Sequence, residues 1–144
     1  MSYVGRSVPR VDARDKAAGR AMYAADLCDR RALTAKILHA EQAHALVNRI
    51  DAEKARAMDG VEAVFTCFDV PKNYFPTAGH PWSTEPEHQD VADRLLVTDH
   101  VRFWGDEIAV VVAQDELTAQ KALREIEVEY EPLPFVLDGQ KAME

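Results

Sequence analysis

The chain holds only two cysteines, Cys28 and Cys67, and no Cys-x-x-Cys pair, so neither a zinc knuckle nor an iron–sulfur site can be assembled from them. Glycine is also sparse: six residues, scattered singly. No G-x-G-x-x-G, G-x-x-x-x-G-K-[ST] or G-x-S-x-G occurs, which removes the usual phosphate cradles and the strained serine elbow. The five histidines, His39, His44, His80, His88 and His100, never stand four apart around a glutamate, as a zincin helix requires. Positive charge is short as well, with 17 Lys and Arg against 25 Asp and Glu for a net charge of −8, so most of the surface repels a phosphate backbone. The longest apolar run is Ile108 to Ala113, too short for a membrane span or a signal-peptide core. The expectation is a cytoplasmic protein with no nucleic-acid and no membrane partner.

What is present suits one globular domain: 144 residues, 47% hydrophobic and 29% charged, enough to bury a real core and too apolar for disorder. Residues 1–32 show neither a period of 2 nor of 3.6 and carry a basic run of Arg6, Arg10, Arg14, Lys16 and Arg20. They read as an extended N-terminal arm ending in a short strand near Met22 and Tyr23. Leu33 to His39 alternates as a strand. A short apolar stretch, Leu46 to Ile50, leads to Asp51, an N-cap for a helix over Ala52 to Met58; Gly60 stops it, and Val61 to Thr66 is β-branched and aromatic.

Four of the seven prolines (Pro71, Pro76, Pro81, Pro86) and four acids fall between Pro71 and Arg94, a long acidic, proline-rich excursion of the kind that meets a partner. Order returns at Leu95 to Thr98. Ile108 to Ala113 reads as a central strand covered on both faces. Asp115 caps a helix over Glu116 to Glu125 whose Ala119, Ala122, Leu123 and Ile126 form one stripe. Ile126 to Tyr130 alternates until Pro132 and Pro134 end it. The fold class is therefore α/β (α+β): a mixed sheet with two strand-helix-strand units.

No residue earns a catalytic, cofactor-binding or metal role on this reading. Glu127, Glu129 and Glu131 share one strand face and form a solvated acidic row. Gly105 is expected to supply a positive-φ turn before the central strand. Tyr130 is expected as a core aromatic with its hydroxyl at the rim. Trp82, Trp104 and His80 are candidates for packing or a partner contact. His39 and His44 read as hydrogen-bonded structural histidines, and His80 with His88 as solvated loop residues; a small metal-dependent hydrolase built on that second pair is a third-ranked reading.

Several stretches together resemble one family. They are Val4-Gly-Arg-Ser-Val-Pro-Arg-Val-Asp12, Lys16-Ala-Ala-Gly-Arg-Ala-Met-Tyr-Ala-Ala-Asp26, Asp59-Gly-Val-Glu-Ala-Val-Phe65, Ala92-Asp-Arg-Leu-Leu-Val97, Val101-Arg-Phe-Trp-Gly-Asp-Glu-Ile-Ala-Val-Val-Val-Ala113, Thr118-Ala-Gln-Lys-Ala122 and Val128-Glu-Tyr-Glu-Pro-Leu-Pro134. In order and spacing they are similar to the α/β hammerhead domain that starts the molybdenum-binding large subunit of the xanthine dehydrogenase and aldehyde oxidase family. The segments Thr77-Ala-Gly-His-Pro-Trp82 and Asp90-Val-Ala-Asp-Arg94 look nearest to bacterial xanthine dehydrogenases.

The resemblance implies a hammerhead domain over residues 33–138, with residues 139–144 starting the connection to downstream molybdenum-binding domains. It implies an oxidoreductase whose full subunit holds a molybdenum–pterin cofactor (molybdopterin) and oxidises purines such as hypoxanthine or xanthine with oxygen from water. Electrons would leave through [2Fe–2S] clusters to FAD in partner domains or subunits. The family's cofactor and catalytic motifs lie in later domains, so this chain alone is expected to be a structural, docking piece without activity. Two alternatives stay open: a free-standing protein-binding adaptor with the same fold, and the same domain of an aldehyde or heterocycle oxidoreductase.

Overall fold

A computed structural model describes residues 4–29, 31–76, 85, 87 and 90–143. The chain divides into two compact units, one up to Ala32 and one from Leu33 onward. The first contains a short helix, α1 (Ala13–Ala17), and a 3₁₀ turn over Ala24–Leu27. No strand forms near Met22 and Tyr23. Tyr23 is extended, with φ −109° and ψ 169°, but no strand pairs with it. Local polar groups decide the shape instead: Asp12 pairs with Lys16 at 2.6 Å across one helical turn, and the Tyr23 N–H donates to Asp26 Oδ2 at 2.8 Å.

The second unit is built from β1 (Thr34–His39), β2 (Ala45–Asp51), α2 (Glu53–Arg56), β3 (Val61–Thr66), β4 (His100–Val101), β5 (Glu107–Ala113), α3 (Glu116–Arg124) and β6 (Glu127–Pro132). It is the α/β arrangement expected, but the strands form two antiparallel three-stranded sheets, β1-β5-β3 and β4-β2-β6, in place of one mixed sheet. β5 is central, between β1 and β3. The second strand-helix-strand run, β5-α3-β6, crosses from one sheet to the other.

The reason is β2, which reads in the sequence as only a short apolar stretch. A register shift between Val47 and Arg49 leaves Asn48 as an extra residue against β6, so the inward side chains run Ala45, Val47 and then Ile50. The period of 2 is broken by one, as a bulge does. Once formed, β2 captures β6 and β4, and it separates β1 from α2.

Small residues let the helices approach the first sheet closely. Ala52 and Ala55 at α2, Ala119 and Ala122 of α3, and Ala113 of β5 are all buried with Val64 and Val111. Asp115 Oδ1 accepts the Thr118 N–H at 2.8 Å, capping α3. Gly60 turns α2 into β3 at φ +83°, and a Cβ there would sit 3.3 Å from Thr118 Cγ2. A second cluster (Val47, Cys67, Val97, Val101 and Ile108) joins the two sheets. The other face of the first sheet is less covered than the sequence suggests. Ile37, Val110 and Phe65 stand in register across it, with Ile37 and Phe65 exposed and Val110 half-buried.

The described ends of the proline-rich excursion are held together. Phe75 and Arg94 exchange both backbone hydrogen bonds, at 2.9 and 3.2 Å. No helix among the described residues is long and apolar enough to cross a membrane.

Candidate functional site

The turn between β4 and β5 organises the most distinctive surface. Gly105 has φ +95°, the left-handed region that a side chain resists. Its N–H donates to the Ala40 carbonyl at 2.9 Å, and its own carbonyl lies 2.8 Å from His39 Nδ1. The next residue, Asp106, is 1% exposed and fully engaged: Oδ2 accepts the Arg102 N–H at 3.0 Å and Oδ1 accepts Arg94 Nη2 at 3.2 Å. Arg94 also reaches Glu107 Oε2 at 3.0 Å, and its guanidinium stands 5.0 Å from the centre of the Phe103 ring. Arg94 thus clamps the end of the excursion to the turn. The sequence reading missed Asp106 and Arg94, because nothing in their spacing marks a buried ion pair.

That clamp presents Trp104, 69% exposed, at the rim of a groove of about 450 Å³ shared with His44, Phe103 and Phe135. A second groove of about 540 Å³ lies against α3 and β6, and His39, Glu41, Arg124 and Tyr130 line it. Tyr130 is half-buried and packs on the inter-sheet cluster. Burial raises its phenol above the ordinary value, against a hydrogen bond from the Glu41 backbone, so it stays a neutral hydroxyl. The acidic row is exposed and paired with its neighbours: Glu127 with Lys54 at 2.8 Å and Glu129 with Arg49 at 3.4 Å. Such pairs on a wet surface contribute little.

Trp82, His80 and His88 lie outside the described residues. Of the other histidines, His44 and His100 are brought together from residues 56 apart, Nε2 to Nε2 at 3.1 Å. Burial pushes the Cys67 thiol up to about 11, which keeps it protonated and inert; Cys28 is exposed. Among the described residues no three His, Cys, Asp or Glu side chains converge as metal ligands. Neither groove joins a nucleophile to an oriented base.

Residues 18–134 match the family model described as "Aldehyde oxidase and xanthine dehydrogenase, a/b hammerhead domain". The chain is 44% identical, over 93% of its length, to the xanthine dehydrogenase molybdenum-binding subunit of Escherichia coli O157:H7, and covers 18% of that protein. It is 38% identical, over 98% of its length, to the nicotinate dehydrogenase large molybdopterin subunit of Eubacterium barkeri, covering 31% of it. Among solved structures, quinoline 2-oxidoreductase from Pseudomonas putida 86 superposes with a TM-score of 0.79 at 34% identity, over 97% of this chain and 18% of that one. The chain therefore spans less than a third of each of these relatives.

Proposed function

Since the chain belongs to the hammerhead-domain family of aldehyde oxidases and xanthine dehydrogenases, we propose that it is the architectural domain of a cytoplasmic molybdenum hydroxylase acting on purines such as hypoxanthine or xanthine. The oxygen added to the substrate would come from water, and electrons would pass through [2Fe–2S] clusters to flavin in partner domains or subunits. The observation that carries this reading is the 44% identity to a xanthine dehydrogenase subunit, of which the chain covers only 18%.

We assign no residue of this chain to the molybdenum–pterin group. Among the described residues no three potential metal ligands converge, and the positive-φ glycines Gly5, Gly19, Gly60 and Gly105 are isolated, not successive as in a backbone phosphate cradle. The chain's own contribution is to hold other parts in place. The open apolar row Ile37, Val110 and Phe65 is the surface we assign to the downstream molybdenum-binding domains, since exposed apolar sheet faces are normally covered.

A second reading, the same domain in an oxidoreductase of another heterocycle, is favoured by one observation. Relatives named for nicotinate and quinoline share the domain at 38% and 34% identity, so the same fold occurs in oxidoreductases named for other heterocycles.

The test is to capture the native protein from its source cell with an antibody against this chain. A polypeptide several times larger than the chain, with xanthine-dependent dye reduction in the captured material, supports the purine reading. Turnover of nicotinate or quinoline without xanthine supports the second. A band of the chain's own size with no turnover overturns both.

A further inference from the structure

We infer that His44 and His100 form a two-imidazole site for a divalent transition metal of borderline softness, such as copper(II), nickel(II) or zinc(II). The site is assembled by pairing of β2 with β4. Leu46 stands opposite His100, and His44 precedes Leu46 by two residues, the repeat that keeps side chains on one side of a strand. Both histidines are half-buried, within reach of solvent ions.

Three features fit an ion. The two Nε2 atoms are 3.1 Å apart with ring centroids 5.3 Å apart, so the rings meet nearly end to end. A modest turn of each ring aims both nitrogens at one ion at about 2.0–2.1 Å, subtending about 100° in a distorted tetrahedral or square geometry. His44 Nδ1 lies 2.8 Å from the Pro134 carbonyl. A carbonyl can only accept, so Nδ1 carries the proton and Nε2 presents its lone pair toward His100. A carbonyl that fixes the tautomer and aim of a ligating ring is the usual outer support of a metal-bound histidine. Finally, both rings are only half-buried, so water can complete the coordination of an ion held between them.

Without metal, His100 Nε2–H donates to His44 Nε2. Binding takes the two Nε2 lone pairs as ligands, and the His100 proton moves to Nδ1, so the rings stay neutral and no proton is lost. No third His, Cys, Asp or Glu joins them among the described residues, which leaves the remaining positions to water and makes the site open and exchangeable. Nitrogen donors exclude magnesium and calcium, which require oxygen. Since the Pro134 carbonyl belongs to the segment leaving β6, a bound ion ties β2, β4 and that segment together.

The site is tested on the tag-free chain by calorimetric titration with copper(II), nickel(II), zinc(II) and magnesium(II) chlorides. One equivalent is expected, with copper tightest and no magnesium binding. His44→Ala and His100→Ala should each weaken copper binding by at least about tenfold, since loss of even an outer-shell partner costs that much. His39→Ala and the His80→Ala/His88→Ala double variant should bind as wild type. A measurement that needs no variant is the ¹⁵N–¹H spectrum with sub-stoichiometric copper(II), where Ala45, Leu46 and Val101 should broaden first. No heat of binding overturns the site, as does broadening centred elsewhere, or affinity undiminished when both His44 and His100 are replaced. The inference does not rest on the molybdenum reading, and neither result bears on it.

Discussion

At Gly105 the cost of a side chain would be paid by the backbone alone. The φ of +95° is one that other residues resist, while a Cβ there would meet nothing within 4 Å. Gly105→Val should lower stability by about 1 kcal/mol or more; a melting temperature equal to wild type would contradict this. Asp106 is a different case, a carboxylate at 1% exposure facing an Arg94 side chain at 21%. Removing one partner strands the other, and Asp106→Ala should cost about 3 kcal/mol in urea unfolding. The double variant with Arg94→Ala should lose less than the sum of the singles if the two act as a pair. The cysteines divide by burial: one equivalent of a thiol reagent should react with the native chain, at Cys28, and the second only in denaturant, because Cys67 is 2% exposed and its thiol is pushed up to about 11.

Among the elements, two are fastened by aspartates that titrate in acid. Hydrogen bonds from the Thr118 backbone, then its hydroxyl, hold Asp115 below its ordinary 3.8 at the start of α3. The Thr66 hydroxyl and then its backbone do the same for Asp69, which closes the turn after β3. A carboxylate with a lowered folded value binds its proton more weakly folded than unfolded. Its contribution is therefore complete above 3.8 and is lost as pH falls through the folded values below that. The urea midpoint should drop in that window, and Asp115→Asn, which keeps a capping oxygen, should flatten part of the drop. A midpoint insensitive to pH there would show that neither aspartate matters to folding. α3 was legible in the sequence from its Asp115 cap and its stripe. α2 was expected with bounds wider by one to two residues; its cap position is Ala52 in place of Asp51, whose Oδ1 still accepts the Glu53 N–H at 3.2 Å. α1 stands where an extended arm was expected. β2 was not legible, because the extra Asn48 breaks the alternation by which a strand is recognised.

For the whole molecule, the open sheet face with Ile37 and Phe65 exposed is the surface we assign to other domains. If it is covered by downstream domains, Phe65→Lys should alter the isolated chain's stability by no more than about 1 kcal/mol, as for surface positions. In the full-length polypeptide it should reduce the yield of assembled, active enzyme. Equal yields from variant and wild type would assign docking to another surface. The grooves beside Trp104 and Tyr130 depend on contacts between segments 30 to 90 residues apart, such as His44 Nδ1 with the Pro134 carbonyl, and no local pattern announces them.

The sequence by itself determined the family, the α/β class, the central place of β5 and the glycine turns, because these rest on local spacing and on stretches matched in order. Tertiary structure alone decided that the strands split into two antiparallel sheets, that Arg94 secures a buried Asp106, and that His44 meets His100. Each is a long-range pairing, and which distant partner a strand, a charge or an imidazole finds is fixed only when the chain closes its core.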